Sequence, residues 1–331
     1  MVVTMKDIAI AANVSSATVS KVVNGADQHI SKNKREEILR LIEKMGYIPN
    51  PIARGLKNKH TKMIGFILPD ITNPFFPEIE RGIEDEAKKH GFGVVVCNTD
   101  NDAAEEARAF SFLESKMVDG IIFTHSVHES SMKFLDEARI PVVVVDRITR
   151  AKKDKCGQVY VDACAGIQTS TEYLIKKGCK KIGFISGGVL TTSDRYKGFK
   201  TALKKAHIHE YESLRYFGQY DMETGTKGAK MLLKSKTSFD GLVCGNDLIA
   251  IGALAVIEKH GLHIPDDVKV MGYDDIYLSH YVKPALSTVK QPAYEMGQKA
   301  TQMIISHIVE GGKLSQEKLE FSVVLRESAC Y

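Results

Sequence analysis

A small all-α head followed by an α/β body of two doubly wound parallel-sheet lobes is the architecture this sequence predicts, on three observations. Short apolar faces at helical period occupy roughly the first fifty residues. From Lys62 onward, short continuous apolar runs alternate with amphipathic segments, and the alternation occurs twice. Charge divides at the same place: residues 1–62 hold eleven Lys/Arg against five Asp/Glu, a net of +6, whereas the rest of the 331-residue chain nets −2. A basic head on a near-neutral body is the balance expected when the head alone binds nucleic acid.

Between Thr4 and Asn24, Ile8, Ala9 and Ala12 form one short apolar face, and Val19, Val22 and Val23 form a second. Asn13-Val14-Ser15 interrupts them, so the stretch reads as two short helices joined by a tight turn, with Ser15 as N-cap of the second. That second helix presents Ser16, Ala17, Thr18, Ser20 and Lys21 outward. Small hydroxyl-bearing residues at a helix start suit base edges, and the lysine behind them suits a phosphate. The pattern alone also describes an amphipathic hairpin that packs on something else. Ser31 can cap a third helix, Lys32 to Lys44, whose Ile38, Leu41 and Ile42 would close a three-helix core before Gly46 ends it.

Asp7-Ile8-Ala9, Val14-Ser15, Ala17-Thr18-Val19-Ser20 and Val22-Val23-Asn24 resemble the helix-turn-helix of the LacI/GalR family of bacterial transcriptional regulators. The resemblance implies a DNA-reading domain over 1–48 that uses Thr4, Ser15, Ser16, Ala17, Thr18, Ser20, Lys21 and Asn24. In residues 49–61, Asn50 is placed as an N-cap ahead of Pro51, but so short a helix with Gly55 inside it is not stable alone. It is either a plain linker or a helix ordered by a partner. By the resemblance it is a hinge helix that folds when the two hinges of a dimer enter the minor groove, with Leu56 as the apolar wedge, Ala53 allowing close approach and Lys57 among the flanking lysines.

In the body, the apolar runs Met63 to Leu68, Val94 to Cys97, Ile121 to Phe123 and Val142 to Val145 read as buried parallel strands. Helical segments near Phe75 to His90, Ala103 to Lys116 and Ser130 to Ala138 separate them. The second round has strands at Ile182 to Ile185, Leu242 to Val243 and Val268 to Met271, and helices near Ala165 to Lys177, Arg195 to Ala206, Glu223 to Lys234 and Leu248 to His260. Two such halves make a bilobed body whose ligand belongs at the strand carboxyl ends. The family resemblance adds three crossings between lobes, which assigns 62–161 with 291–321 to an N-terminal lobe and 162–290 with 322–331 to a C-terminal lobe. With no leucine heptad before Tyr331, a homodimer is expected rather than a coiled-coil tetramer.

Polar groups cluster just after the expected strands. Asp70-Ile71-Thr72-Asn73-Pro74-Phe75-Phe76 follows the first, Asp146-Arg147 the fourth, and Arg195, Asn246, Asp274 and Gln291 stand near later ones. Each has an ordinary structural reading: Asn-Pro as a turn, Asp146-Arg147 as a salt bridge, Asn246 as a helix cap. Together they resemble the family pattern and the pocket of the ribose-type periplasmic sugar-binding proteins. That resemblance implies an effector site of Asn73, Phe75, Phe76, Asp146, Arg147, Arg195, Phe217, Asn246, Asp274 and Gln291. Carboxylates accept from sugar hydroxyls, arginines donate in planar forks, amides do both, and a phenylalanine offers its face to a sugar ring. The chain has no Trp, so Phe75, Phe76 or Phe217 must supply the stacking. Among these ten positions two Asp and two Arg cancel, which favours an uncharged monosaccharide.

Other signals point away from catalysis. His125 and His128 with Glu129 do not form His-Glu-x-x-His, since Met132 occupies the second histidine's place. There is no phosphate-loop Gly-Lys-Ser/Thr, no dinucleotide fingerprint and no Cys-x-x-Cys, so no cofactor, metal or catalytic set is expected. The six spaced cysteines, the lack of a signal peptide and the lack of any membrane-length apolar run imply a cytoplasmic protein with reduced thiols. The resulting expectation is a DNA-binding regulator, a repressor of a carbohydrate operon, that holds a pseudo-palindromic operator as a homodimer and responds to a monosaccharide. The alternative is a carbon-control regulator that answers to a phosphorylated carrier protein.

Overall fold

The structure, a computed structural model, describes residues 3–47, 60–124, 135, 137–147, 156–190 and 193–330. Ala53, Leu56 and Lys57 of the expected hinge, and most of the helix expected from Ser130 to Ala138, lie outside the described residues. The chain divides into two compact units, Met1–Thr61 and Lys62–Tyr331.

In the first unit, α1 (Met5–Ala11) begins with a capping box in which Thr4 Oγ1 accepts from Asp7 N and the Asp7 carboxylate accepts from Thr4 N. Asn13 then turns the chain with a φ of 50°, and Ser15 caps α2 (Ser16–Val23) by accepting from Thr18 N. The third helix, α3 (Lys32–Met45), ends at Gly46 with a φ of 64°, a left-handed geometry that glycine adopts without steric penalty. Ile8, Ala9, Ala12, Val19, Val22, Ile38 and Tyr47 are buried together, while Leu41 and Ile42 pack half-buried against them. One detail departs from expectation: Ser31 makes no side-chain cap bond. Lys34 Nζ instead ties α3 to α1 by donating to Ala12 O at 3.1 Å.

The second unit holds two six-stranded sheets of the same plan. The first contains β1 (Met63–Leu68), β2 (Gly93–Asn98), β3 (Gly120–Phe123), β4 (Val142–Asp146), β5 (Cys156–Val161) and, returning late in the chain, β11 (Gln316–Leu319). Their order is β11-β5-β4-β3-β1-β2, and every neighbouring pair is parallel. The second contains β6 (Ile182–Gly187), β7 (Arg215–Gly218), β8 (Gly241–Cys244), β9 (Lys269–Asp274), β10 (Ser287–Lys290) and β12 (Ser322–Val324), ordered β12-β10-β9-β8-β6-β7 with only β12 antiparallel. Buried aliphatic strands alternate their side chains between two covered faces, as parallel sheets require. Thus Ile64, Phe66 and Leu68 pack toward α4 (Phe75–Lys89) and α10 (Ala293–Glu310), while Ile67, Ile121 and Phe123 pack toward α5 (Ala103–Ser115). In the second sheet, Ile182 and Phe184 face α6 (Ala163–Lys176) and α7 (Asp194–Lys205), and Ile185 faces α8 (Met222–Lys234) and α9 (Asp247–Lys259).

The first sheet's main helix pair is drawn close by glycine. A Cβ on Gly82 of α4 would stand 2.1 Å from Tyr294 O, and one on Gly297 of α10 would stand 2.1 Å from Ile79 O. Because the backbones touch, α10, far along in sequence, is locked beside α4 across the first sheet. All six cysteines are free. No described helix is long and apolar enough to cross a membrane.

Candidate functional site

In the head, the turn at Asn13 aims α2 so that Val19 and Val22 enter the core and Ser16, Ala17 and Lys21 are exposed. The other expected readers are already engaged locally. Ser15 Oγ accepts from Thr18 N at 3.1 Å and shares a 2.9 Å hydrogen bond with Thr18 Oγ1. Asn24 Nδ2 donates to Ser20 O at 2.7 Å, and Thr4 is held in its capping box. The face therefore has Ser16, Ala17 and Lys21 outermost, flanked by hydroxyls and an amide that would keep one local bond while meeting DNA.

In the body, β1 lies between the two strands that follow it, β2 and β3, and β6 likewise between β7 and β8, so successive connections leave on opposite faces and open a crevice at the strand ends. A cavity of about 380 Å³ lies there. Its walls come in short pieces at or beyond strand ends: Asp70, Thr72, Asn73, Phe75 and Phe76 after β1, Asp100 and Asn101 after β2, Asp146 and Arg147 at the end of β4. The second sheet adds Arg195 at the start of α7, Gln219, Tyr220 and Asp221 after β7, Asn246 after β8, and Asp274 at the end of β9. Asp146 and Asp274 take the left-handed backbone, with φ of 72° and 114°, a conformation costly for non-glycine residues and concentrated at functional sites.

Arg195 organises the polar floor. Its guanidinium lies 4.8 Å from the Tyr220 ring centroid and 4.6 Å from that of Tyr273, with Nη2 3.8 Å from Asp274 Oδ1. Burial opposes its charge, but Tyr220, Asp274, Tyr273 and Asp146 together hold its pKa above the usual arginine value. Asp274 is pushed well above the usual carboxylate range, chiefly by burial, with Arg195 opposing and Asp247 and Asp146 adding to the rise. Gln291 Nε2 donates to Asp274 Oδ1 at 2.9 Å and reaches Asp146 Oδ1 at 3.5 Å, linking carboxylates from the two sheets. Arg147 sits 3.8 Å from Asp146 and, from the opposite sheet, 5.5 Å from the Tyr220 ring.

Eight of the ten residues expected in the cleft line the cavity: Asn73, Phe75, Phe76, Asp146, Arg147, Arg195, Asn246 and Asp274. Gln291 stands behind them, on the two aspartates. Some also have structural work: Asn73 Oδ1 accepts from Phe75 N, and Asn246 caps α9 through Ile249 N while its Nδ2 donates to Tyr220 O at 3.2 Å. Phe217 is the exception. It lies inside β7, opposite Ser186, with its ring packed against Phe184 and Tyr196 at 5.8 and 5.4 Å. The aromatic wall on that side is Tyr220, which the sequence reading missed. Its ring lies on Gly187, where a Cβ would come within 2.5 Å of it. The signal was positional: Tyr220 lies two residues beyond the last residue of β7, at the strand's carboxyl end, where the other cleft segments also cluster.

Asp247, at the first position of α9, is fully buried behind the cleft. It accepts from Ile276 N at 2.9 Å, Ser279 Oγ at 2.7 Å and Thr288 Oγ1 at 2.5 Å. Burial nevertheless raises its pKa to about 7. Among the described residues no group of three or more His, Cys, Asp or Glu is placed to hold a metal ion.

Residues 4–50 match the family described as bacterial regulatory proteins, lacI family, and residues 61–324 match the family described as periplasmic binding proteins and sugar binding domain of LacI family. The chain belongs to the LacI family. It is similar to the ribose operon repressor of Halalkalibacterium halodurans, with 36% identity over 92% of this chain and 90% of that one. Among solved structures, it is similar to a LacI-family transcriptional regulator from Enterococcus faecium with bound ribose, at 29% identity and a TM-score of 0.71 over 81% of this chain and 98% of that one. The lac repressor dimer bound to operator and an anti-inducer shares the fold across 100% of both chains, with a TM-score of 0.90 at 24% identity. As a LacI-family member the chain is a DNA-binding transcriptional regulator and not an enzyme.

Proposed function

We propose that this LacI-family protein is the repressor of a pentose or related carbohydrate operon and that an uncharged monosaccharide, with ribose as first candidate, binds between its lobes. The observation that carries the reading is the polar floor: two guanidiniums, each beside one carboxylate, with Gln291 joining the carboxylates. Such a floor offers alternating fork donors and acceptors, which suits vicinal hydroxyls. Phe75, Phe76 and Tyr220 supply apolar faces for a ring. At about 30 Å³ per water the cavity holds roughly a dozen water-sized groups, the scale of one sugar ring and its hydroxyls. The ribose named in two of the similar proteins agrees with that size.

In this reading, lobes of 62–161 with 291–321 and of 162–290 with 322–331 change their angle when sugar joins Arg147 and Asp146 to Arg195 and Asp274. Two heads of a dimer occupy half-sites of a pseudo-palindrome, with Ser16, Ala17, Lys21 and their neighbours at the bases and Ala53, Leu56 and Lys57 at the minor groove between them. Sugar and operator then prefer different lobe angles, so each weakens the other by the same factor. Gel-shift titration of the full chain on its upstream operator, with ribose, xylose, arabinose and glucose, tests the proposal. Release of operator by one of these sugars is the expected result, and an operator affinity indifferent to all of them would remove the monosaccharide effector.

A further inference from the structure

The charges of the cleft are arranged unevenly. Arg147 and Arg195 each lie 3.8 Å from the carboxyl group of an aspartate, Asp146 and Asp274 respectively. Three more aspartates, Asp70, Asp100 and Asp221, line the same cavity, and among the described residues none of them forms an ion pair. Their hydrogen bonds come from neutral donors: Thr72 N and Oγ1 to Asp70 at 2.8 and 2.7 Å, Asn98 Nδ2 to Asp100 at 2.6 Å, and Thr224 N to Asp221 at 2.7 Å. Asp70 and Asp100 follow strands of the first sheet and Asp221 follows a strand of the second, so uncompensated negative charge stands on both walls.

We infer that these three aspartates make the cleft discriminate against phosphorylated forms of the sugar it accepts. The inference rests on the sugar-effector reading above and narrows its ligand class. A phosphate ester brings nearly two negative charges at neutral pH and binds where arginines are uncompensated or where a helix N-terminus is free. Each arginine here lies beside an aspartate, and α8 and α9, which start at the cleft on the second sheet, carry carboxylates there already, Asp221 as the cap of α8 and Asp247 at the first position of α9. On the first sheet α4 starts at the cleft behind Pro74, which gives no side-chain cap; Asn73 Oδ1 takes Phe75 N, and the Asp70 carboxylate stands just ahead of that end. A consequence concerns metabolism. A kinase that moves a phosphoryl group from a nucleoside triphosphate to a sugar hydroxyl, releasing that hydroxyl's proton, makes a product the cleft rejects. Phosphorylation is therefore the class of reaction that ends the signal.

The test is direct binding to the full-length protein, by titration calorimetry, of three matched pairs: ribose with ribose 5-phosphate, xylulose with xylulose 5-phosphate, and glucose with glucose 6-phosphate. The comparison variant is Asp70→Asn with Asp100→Asn and Asp221→Asn. Asparagine keeps each side-chain acceptor and is as good an N-cap as aspartate, and unchanged operator binding verifies the fold. The wild type is expected to bind the free sugar at least tenfold more tightly than its phosphate, a difference of about 1.4 kcal/mol. In the variant that ratio should shrink by threefold or more, whatever the change in free-sugar affinity itself, and higher salt should shrink it in the wild type. Equal binding of a sugar and its phosphate by the wild type overturns the discrimination while sparing the sugar reading. A ratio unmoved by the three substitutions assigns it to shape and also overturns the role of the aspartates. Failure of every free sugar to bind overturns both.

Discussion

In the head, most of the residues expected to read DNA stand on the eight positions of α2, which is capped from the adjoining Ser15. The cleft instead gathers its lining from behind seven strands, between residues 70 and 274. The head's polar groups are tied to partners three or four residues away, Ser15 to Thr18 and Asn24 to Ser20. The cleft keeps some such local bonds but adds ties across long stretches of chain, Gln291 to Asp146 and Arg147 to Tyr220. A surface made by one helix can tolerate loss of a single group, whereas a site in which each charge is held by another cannot. The two regions should therefore respond to point substitution by very different amounts.

Arg195→Ala gives the largest expected effect. It removes a buried cation that stacks on two tyrosines and faces Asp274, leaving that carboxyl without its counter-charge. Losing one member of such a pair costs about 3–5 kcal/mol. Effector affinity should fall more than a hundredfold while operator affinity stays within threefold, measured by sugar titration and gel shift. A sugar response that survived would show the floor to be as tolerant as the head. Next comes a contrast within one segment. Tyr220→Ala should weaken sugar binding roughly tenfold through lost stacking. Phe217→Ala should lower the body's melting temperature but change sugar affinity less than threefold. The opposite outcome would return Phe217 to the cleft and make the packing against Phe184 and Tyr196 incidental.

How much could be read from the sequence follows the same division. The head was legible because capping, turn and apolar period all lie within twenty residues and act locally; only the Ser31 cap failed, since Lys34 and the αL ending at Gly46 define α3 without it. The central strands were legible as unbroken aliphatic runs. The elements that went unread include the inner strand β5, where Gly157 and Gln158 interrupt the apolar run, and edge or late ones: β7 is half-buried throughout, and β11, Gln316–Leu319, has one apolar residue. Helix α10 escaped because its packing partner, α4, lies some two hundred residues earlier and is joined to it by Gly82 and Gly297. In the cleft, residues on the expected strand ends were found, and Tyr220 was missed because β7 was not seen to stop at Gly218.

A smaller effect tests whether the cleft's strain extends behind it. Asp247 has a folded pKa of about 7 against a model-peptide value near 3.9, because burial disfavours its charge despite three donors. Between those values the folded protein holds more protons than the unfolded one, so stability falls as pH rises through that window and levels off above about 7. Asp274, raised for the same first cause, adds in the same direction. In urea melts between pH 5 and 8, the wild type should lose up to about 1.4 kcal/mol per pH unit more than Asp247→Asn does, while the two run parallel above pH 8. Parallel behaviour throughout would mean that the three donors hold Asp247 ionised and that the strain stops at the cavity wall.

The smallest expected effect bears on the head's tolerance. Ser15 was expected both to cap α2 and to read DNA, and its hydroxyl is already bonded to Thr18 N and Thr18 Oγ1. As a cap alone, Ser15→Ala should destabilise the head by about 1 kcal/mol. Operator affinity should then fall uniformly across operator variants, because the exposed Ser16 and Ala17 keep their positions on α2. As a reader, Ser15 would instead leave a base or phosphate without its partner, and the loss would concentrate on particular half-site substitutions. Binding of the Ser15→Ala protein to a panel of single-base operator variants, with the head's thermal melt followed in parallel, separates the two. A uniform loss that scales with the melt makes the cap the whole role of Ser15, and it narrows the direct reading surface to the residues α2 itself exposes.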